Sequence, residues 1–186
     1  MGDEFARWGD WKNATWIWES VTVSHPYVVV ILTNVARGYA RVGDVAKASE
    51  FLERARKVQP AAPAVRALDV IIPAQAGQDQ QALAAARAAM DEGVTDYDMF
   101  TSAYQAGVRA GDTATALRAL TLRLKAWPNE RAAEGHIQLG NLLAQGRPDS
   151  AEARQAFEQG LRLAAPAQRE ALLAQVPQAY RPAAAK

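Results

Sequence analysis

Residues 32–60 read LTNVARGYARVGDVAKASEFLERARKVQP, and this stretch decides the fold. Gly43 divides it. Before the glycine, Leu32, Val35, Ala36 and Tyr39 recur at three- and four-residue intervals, the spacing of one helix face. After it, Ala48, Leu52 and Ala55 do the same until Pro60. A glycine ends the first helix because a left-handed residue is cheapest without a Cβ. Asp44 then offers a carboxylate to cap the second helix. Ala48 lets the two helices approach closely, and Leu52, one turn on, fills the space between them. The stretch is a helix hairpin.

Working outward, the dividing glycine recurs. Gly9, Gly43, Gly77 and Gly111 are each 34 residues apart, and Gly146 comes one residue late. The residues that follow them are Asp10, Asp44, Gln78 and Asp112. Five residues after each glycine stand Ala14, Ala48, Ala82 and Ala116; nine after stand Trp18, Leu52, Ala86 and Leu120. Seventeen after stand Pro26, Pro60, Val94 and Pro128. The register predicts second helices over 10–23, 44–57, 78–91, 113–126 and 150–163. It predicts first helices over 27–41, 62–75, 96–110 and 131–145, and a last helix over 167–178. The β-branched run Val28–Leu32 favours a strand by propensity alone, but the register places it in a first helix. Pro73 removes a backbone donor late in its helix and predicts a kink or early end there. The turn 145–150 carries a small insertion, and 181–186 reads as a frayed tail.

The 34-residue period with these small and large positions resembles the tetratricopeptide repeat (TPR). The resemblance implies an all-α, right-handed superhelical stack of antiparallel helix pairs. It would hold about four full units, a half unit at the N-terminus and a C-terminal capping helix, forming a single domain over 1–180. The first unit has a complete second helix but only about eight residues before it. Either its first helix is cut short upstream or Glu4–Trp8 form a brief, irregular one.

Composition excludes several functions. The chain has 186 residues, a net charge of +1 and no cysteine. Without a basic surplus, bulk nucleic-acid binding is not expected. Without cysteine there is no disulfide framework, thiol nucleophile or Cys-based zinc site. Alanine makes up roughly a fifth of the chain, which favours helix. The run Val28–Leu32 is far shorter than the about 20 apolar residues a membrane span needs. The first residues show no signal-peptide pattern. The two histidines, His25 and His136, lack partners at metal-ligand spacing. No nucleophile elbow or Gly-rich phosphate loop is present, and no carboxylate pair is suggested. We therefore expect no cofactor, no metal and no catalytic residue in this chain.

The TPR resemblance implies that first helices line a concave binding groove. Carried over, its groove positions are Asn34, Arg37 and Arg41, then Gln75 beside Ala67 and Ile71. Thr101, Ser102, Gln105 and Arg109 follow, and finally Gln138, Asn141 and Gln145. This surface is polar, amide-rich and mildly basic, suited to a peptide backbone, a carboxylate or a sugar. The dicarboxylate clamp of co-chaperone TPR domains needs matched lysines that are missing beside Asn34 and Arg37, so chaperone-tail binding is not expected. Trp8, Trp11, Trp16 and Trp18 form an unusual cluster. Trp18 holds a packing position, whereas Trp8, Trp11 and Trp16 are candidates for a partner surface.

A narrower resemblance rests on Ser24-His25-Pro26-Tyr27-Val28, Asp96-Tyr97-Asp98, Ala103-Tyr104 and Arg109-Ala110-Gly111-Asp112. Leu122 to Pro128 and Gly135 to Gly140 continue it. These positions are similar to the C-terminal soluble region of bacterial O-antigen ligase/polymerase-type proteins, including protein O-oligosaccharyltransferases. That resemblance implies a periplasmic interaction module attached to a multi-span membrane body that holds the catalytic residues. Its partner would be a protein, peptide or glycan. The alternatives are a stand-alone cytosolic TPR adaptor for a peptide and, remotely, an enzyme with an unrecognised site.

Overall fold

The computed structural model describes residues 1–145 and 149–181. They form helices α1 (Gly2–Arg7), α2 (Trp11–Val21), α3 (Val29–Arg41), α4 (Val45–Val58), α5 (Pro63–Gln75) and α6 (Asp79–Asp91). These are followed by α7 (Tyr97–Ala110), α8 (Thr113–Ala126), α9 (Ala132–Ala144), α10 (Ala151–Leu163) and α11 (Pro166–Ala174). A 3₁₀ turn, Gln178–Tyr180, comes last. There is no strand among the described residues, and no helix is long and apolar enough to cross a membrane. The chain gathers into two compact units, Met1–Thr115 and Ala116–Lys186.

In the first unit the repeat glycines carry out the predicted geometry. Gly9, Gly43, Gly77 and Gly111 all have positive φ, between 72° and 84°. After Gly9, Gly43 and Gly77 the next amide donates back across the turn in the same way. Asp10 N bonds Phe5 O, Asp44 N bonds Tyr39 O and Gln78 N bonds Pro73 O, each at 2.9 Å. This six-to-one bond satisfies a helix-end carbonyl that otherwise has no partner. The aspartates then cap the next helix. Asp10 accepts from Asn13 N, Asp44 from Lys47 N and Asp112 from Thr115 N. Each such cap contributes about 1 kcal/mol. Helix α5 packs on α3, α4, α6 and α7 and is the middle of this unit. Its Val65, Ala67, Leu68 and Val70 are fully buried. The close-approach alanines Ala14, Ala48 and Ala82 are likewise without exposure.

Val29–Leu32 are helical, as the 34-residue register has it. Other expectations need correction. Helix α5 does not end at Pro73 but runs on to Gln75. Pro73 lies in the last turn, so only one intrahelical donor is lost, and the helix closes through Pro73 O and Ala74 O. Where Val94 stands in place of a closing proline, Gly93 takes φ 77° and Val94 N bonds Ala89 O, which ends α6 instead. At the N-terminal side, Gly2–Arg7 form a short first helix. It packs on α2 through Trp18, whose indole lies against Gly2 and donates to Asp3 Oδ1 at 3.1 Å.

In the second unit, α9 and α10 pack on each other through glycines. A Cβ on Gly140 would lie 2.6 Å from the Phe157 ring, and one on Gly160 would lie 2.8 Å from Ile137. Helix α11 is shorter than the predicted 167–178 because Pro177 breaks it. Leu172, Val176 and Tyr180 nevertheless cover Phe157 and Leu161 in one cluster. The Tyr180 hydroxyl accepts from Ser150 N at 3.0 Å. Arg181, expected in the tail, donates to Val176 O. The rest of that tail, 182–186, and residues 146–148 of the expected insertion lie outside the described residues.

Candidate functional site

The first helices α3, α5 and α7 lie side by side in the first unit, α5 contacting both neighbours. Over them is a cleft of about 280 Å³ lined by Arg41, Ile71, Ala74, Gln75, Asp98, Thr101, Ser102, Gln105 and Arg109. Six of the eleven residues named from the sequence for a groove meet in this one place: Arg41, Gln75, Thr101, Ser102, Gln105 and Arg109. They come together because each sits on the outward stripe of its own first helix, and the 34-residue period aligns the stripes. Gln75 and Gln105 are exposed, and Thr101 and Ser102 are half-buried. The Thr101 hydroxyl also donates to Tyr97 O at 2.9 Å.

The arginines are already engaged, so the cleft is not the mildly basic surface expected. Arg109 grips Asp79 at the start of α6, Nη2 to Oδ1 at 2.6 Å and Nε to both oxygens at 3.1 Å. It also donates to Ala74 O at 2.8 Å and so caps the end of α5. The Asp79 carboxyl is held below its usual value by this hydrogen bond, and Arg109 is raised in return. Arg41 pairs with Asp98 and lies over the Trp11 ring, 5.0 Å from its centroid. Arg37 is outside the cleft lining. It is a four-fifths-buried side chain that bonds Asp96 at 2.7 Å and Asp98 at 2.8 Å. Burial pulls the guanidinium pKa down, but Asp96 and Asp98 outweigh it and hold Arg37 above its usual value. Asp96 has a second task, capping α7 through Met99 N at 2.9 Å. A carboxylate there is also favoured by the helix dipole.

The other named residues stand elsewhere. Asn34 is half-buried on α3, one turn before Arg37, and does not line the cleft. Gln138, Asn141 and Gln145 belong to the second unit, where Gln138 Oε1 accepts from the buried Arg123 at 3.0 Å. Among the tryptophans, Trp8 and Trp16 are 75% and 69% exposed and remain a candidate partner surface. Trp8 rests edge-on against Phe5. Trp11 is half-buried beneath Arg41, beside the cleft. The acids Asp79, Asp96 and Asp98 were missed in the sequence. Their partners are 30 to 61 residues away, and no local pattern announces such a pair. The neighbouring helix-start position was the one usable signal.

Helix hairpins repeating every 34 residues, with left-handed glycines at Gly9, Gly43, Gly77 and Gly111 and capping aspartates at Asp10, Asp44 and Asp112, define an all-α, TPR-like fold. The solved structures agree. A crystal structure of MamA matches with a TM-score of 0.66 at 18% identity, covering 92% of this chain and 96% of that one. MamA from Desulfovibrio magneticus RS-1 matches at 0.65 and 16% identity, covering 87% and 90%. MamA of AMB-1 matches at 0.62 and 21% identity, covering 95% and 94%. No family model matches the chain, and neither does any curated protein.

Proposed function

We propose that the chain is a protein-interaction module that holds an extended segment of a partner in the cleft over α5 and α7. The observation that carries this reading is the meeting of Gln75, Ser102 and Gln105 at one cleft. Amides and a hydroxyl offer both donors and acceptors to a peptide backbone. Because Arg41 and Arg109 face Asp98 and Asp79, the cleft suits a polar, near-neutral segment rather than an acidic tail. Panning a randomised peptide library against the full chain tests this. Enriched peptides should lose most of their affinity for the Gln75→Ala/Gln105→Ala variant, whose exposed side chains leave the fold intact. Undiminished binding to that variant would move the site away from the cleft.

As to setting, we favour the soluble, periplasmic part of a membrane glycan- or oligosaccharide-transfer protein. The supporting feature is the run of positions from Ser24–Val28 to Gly135–Gly140 that resembles such proteins. A glycan then joins peptides as a ligand for the same amides. Reading the source gene upstream of Met1 separates this from a stand-alone cytosolic adaptor: a series of hydrophobic spans supports the first, and a start codon at Met1 the second.

A further inference from the structure

Four positions of the α2–α3–α4 group recur 34 residues later in the α4–α5–α6 group. Glu19, Tyr39, Lys47 and Phe51 are answered by Glu53, Pro73, Gln81 and Ala85. In the earlier group the four form a closed cluster between α2 and α4. The Tyr39 ring stacks on Phe51 with centroids 5.9 Å apart. Its hydroxyl donates to Glu19 Oε2 and accepts from Lys47 Nζ at 3.0 Å. In the later group a proline and an alanine replace both rings. The carboxylate is kept, and an amide stands where the ammonium stood. A groove of about 480 Å³ lies there between α4 and α6, and Glu53, Pro73, Gln81 and Ala85 all line it. Small-ligand sites begin at about 300 Å³. The buried Leu52 and Ile72 give it apolar walls. Its polar groups are accessible. Glu53 is 57% exposed; Arg56 holds its Oε1, and Oε2 has no partner among the described residues. Gln81 is exposed, and its side-chain amide has no partner there either.

We propose that this groove receives a tyrosine side chain from a partner protein. The incoming ring takes the place that Tyr39 fills in the earlier group. Its hydroxyl donates to Glu53 and accepts from Gln81 Nε2, as Tyr39 does between Glu19 and Lys47. A phenylalanine would forgo both bonds. A phosphotyrosine would bring a dianion against Glu53 and Asp69, whose shared cation, Arg56, is already bound to both. The rim favours a protein over a free phenol. Glu53, Gln78, Gln81 and Ala84 are exposed, so a lone ring stays partly in water, whereas a partner's surface covers it. The groove shares no lining residue with the cleft over α5 and α7, so the inference does not rest on that cleft.

The test uses the full chain, isotope-labelled for NMR, with N-acetyl-Ala-Tyr-Ala-amide as probe. The same peptide with phenylalanine or phosphotyrosine, and p-cresol, serve as controls. The tyrosine probe should shift the amides of Glu53, Gln81 and Ala85 saturably. The phenylalanine peptide should bind roughly tenfold more weakly, and the phosphotyrosine peptide should not bind. Pro73→Tyr supplies the ring from within and should abolish probe binding, with a thermal midpoint above that of Pro73→Phe. Should that variant fail to fold, the exposed Glu53→Gln decides: the preference for tyrosine over phenylalanine should shrink severalfold. The Gln75→Ala/Gln105→Ala variant should bind the probe as wild type does. Absence of saturable shifts overturns the proposal, as does equal affinity for the phenylalanine peptide or tighter binding of the phosphotyrosine one. If p-cresol binds as tightly as the probe, the source is a free phenol and the proposal fails. It fails too if the unliganded chain self-associates and both Tyr27→Ala and Pro73→Tyr abolish this, since the occupant is then a second copy.

Discussion

Arg37 on α3 and Asp96 at the start of α7, 59 residues later, are joined Nη2 to Oδ2 at 2.7 Å. The same guanidinium holds Asp98 through Nη1 at 2.8 Å. One side chain therefore ties two first helices on either side of α5. All three groups are about one-fifth exposed, so water screens them only in part. Arg37→Ala leaves Asp96 without its cation, close to Asp98, which keeps only Arg41. The expected loss is about 1–3 kcal/mol, read as a lower urea midpoint with an unchanged slope. Arg37→Lys should recover only part, because a single ammonium cannot span both acids as the planar fork does. Arg37→Glu should be worse than either. Charge reversal here reports on the fold and cannot serve as a test of ligand binding.

Acid should loosen the first unit by a defined route. Asp79 is depressed by its hydrogen bond from Arg109, and Asp112 by its hydrogen bonds from the Thr115 hydroxyl and amide, with Arg87 adding to this. A carboxyl with a lowered folded-state pKa binds its proton more weakly than in the unfolded chain. Its contribution is complete above the ordinary aspartate range, around pH 4, and is lost as pH falls through that range. The wild-type midpoint should therefore drop on acidification below about pH 4. Asp79→Asn and Asp112→Asn should each flatten that slope and cost most near neutral pH, by less in high salt because Arg109 and Arg87 are about half-exposed. Parallel pH profiles of wild type and variants would refute the assignment.

How much of this was legible in the sequence follows from what each feature depends on. The glycine, the aspartate and the alanine five residues later act locally, and their period fixed every helix from α2 to α10 to within a few residues. The outward stripes follow from that period, which is why it sets Gln75, Ser102 and Gln105 on one side of their helices. Ion pairs between helices were not legible. Arg37 reads as an exposed groove cation until the distant Asp96 and Asp98 are placed beside it.

Two glycines should fail for different reasons. At Gly43, φ is 84° and nothing lies within 4 Å of an added Cβ, so only backbone strain opposes a side chain. Gly43→Ala should cost about 1–2 kcal/mol, and Gly43→Asn less. Gly38 is inside α3, and an added Cβ would meet Thr15 Oγ1 at 2.0 Å. That contact forces α2 and α3 apart, at about 1–3 kcal/mol for Gly38→Ala. Adding Thr15→Ala removes the obstructing oxygen and should restore part of the loss, whereas it should do nothing for Gly43→Ala. Thermal midpoints of the two double variants distinguish strain from collision.

Arg41 is the arginine through which the cleft is best interrogated. Its side chain is 41% exposed, its partner Asp98 retains Arg37, and its guanidinium covers Trp11. Removing it leaves no carboxylate unpaired. Arg41→Ala should cost no more than about 1 kcal/mol, the scale of an exposed cation–π contact and a surface pair. It should also uncover the indole. The tryptophan emission of the variant should shift to longer wavelength, and the shift should vanish in an Arg41→Ala/Trp11→Phe background. A peptide that occupies the cleft contacts the same guanidinium, so its binding should perturb Trp11 emission in wild type and bind more weakly to Arg41→Ala. Peptide binding that leaves Trp11 unchanged and ignores Arg41→Ala would place the peptide outside the cleft over α5 and α7.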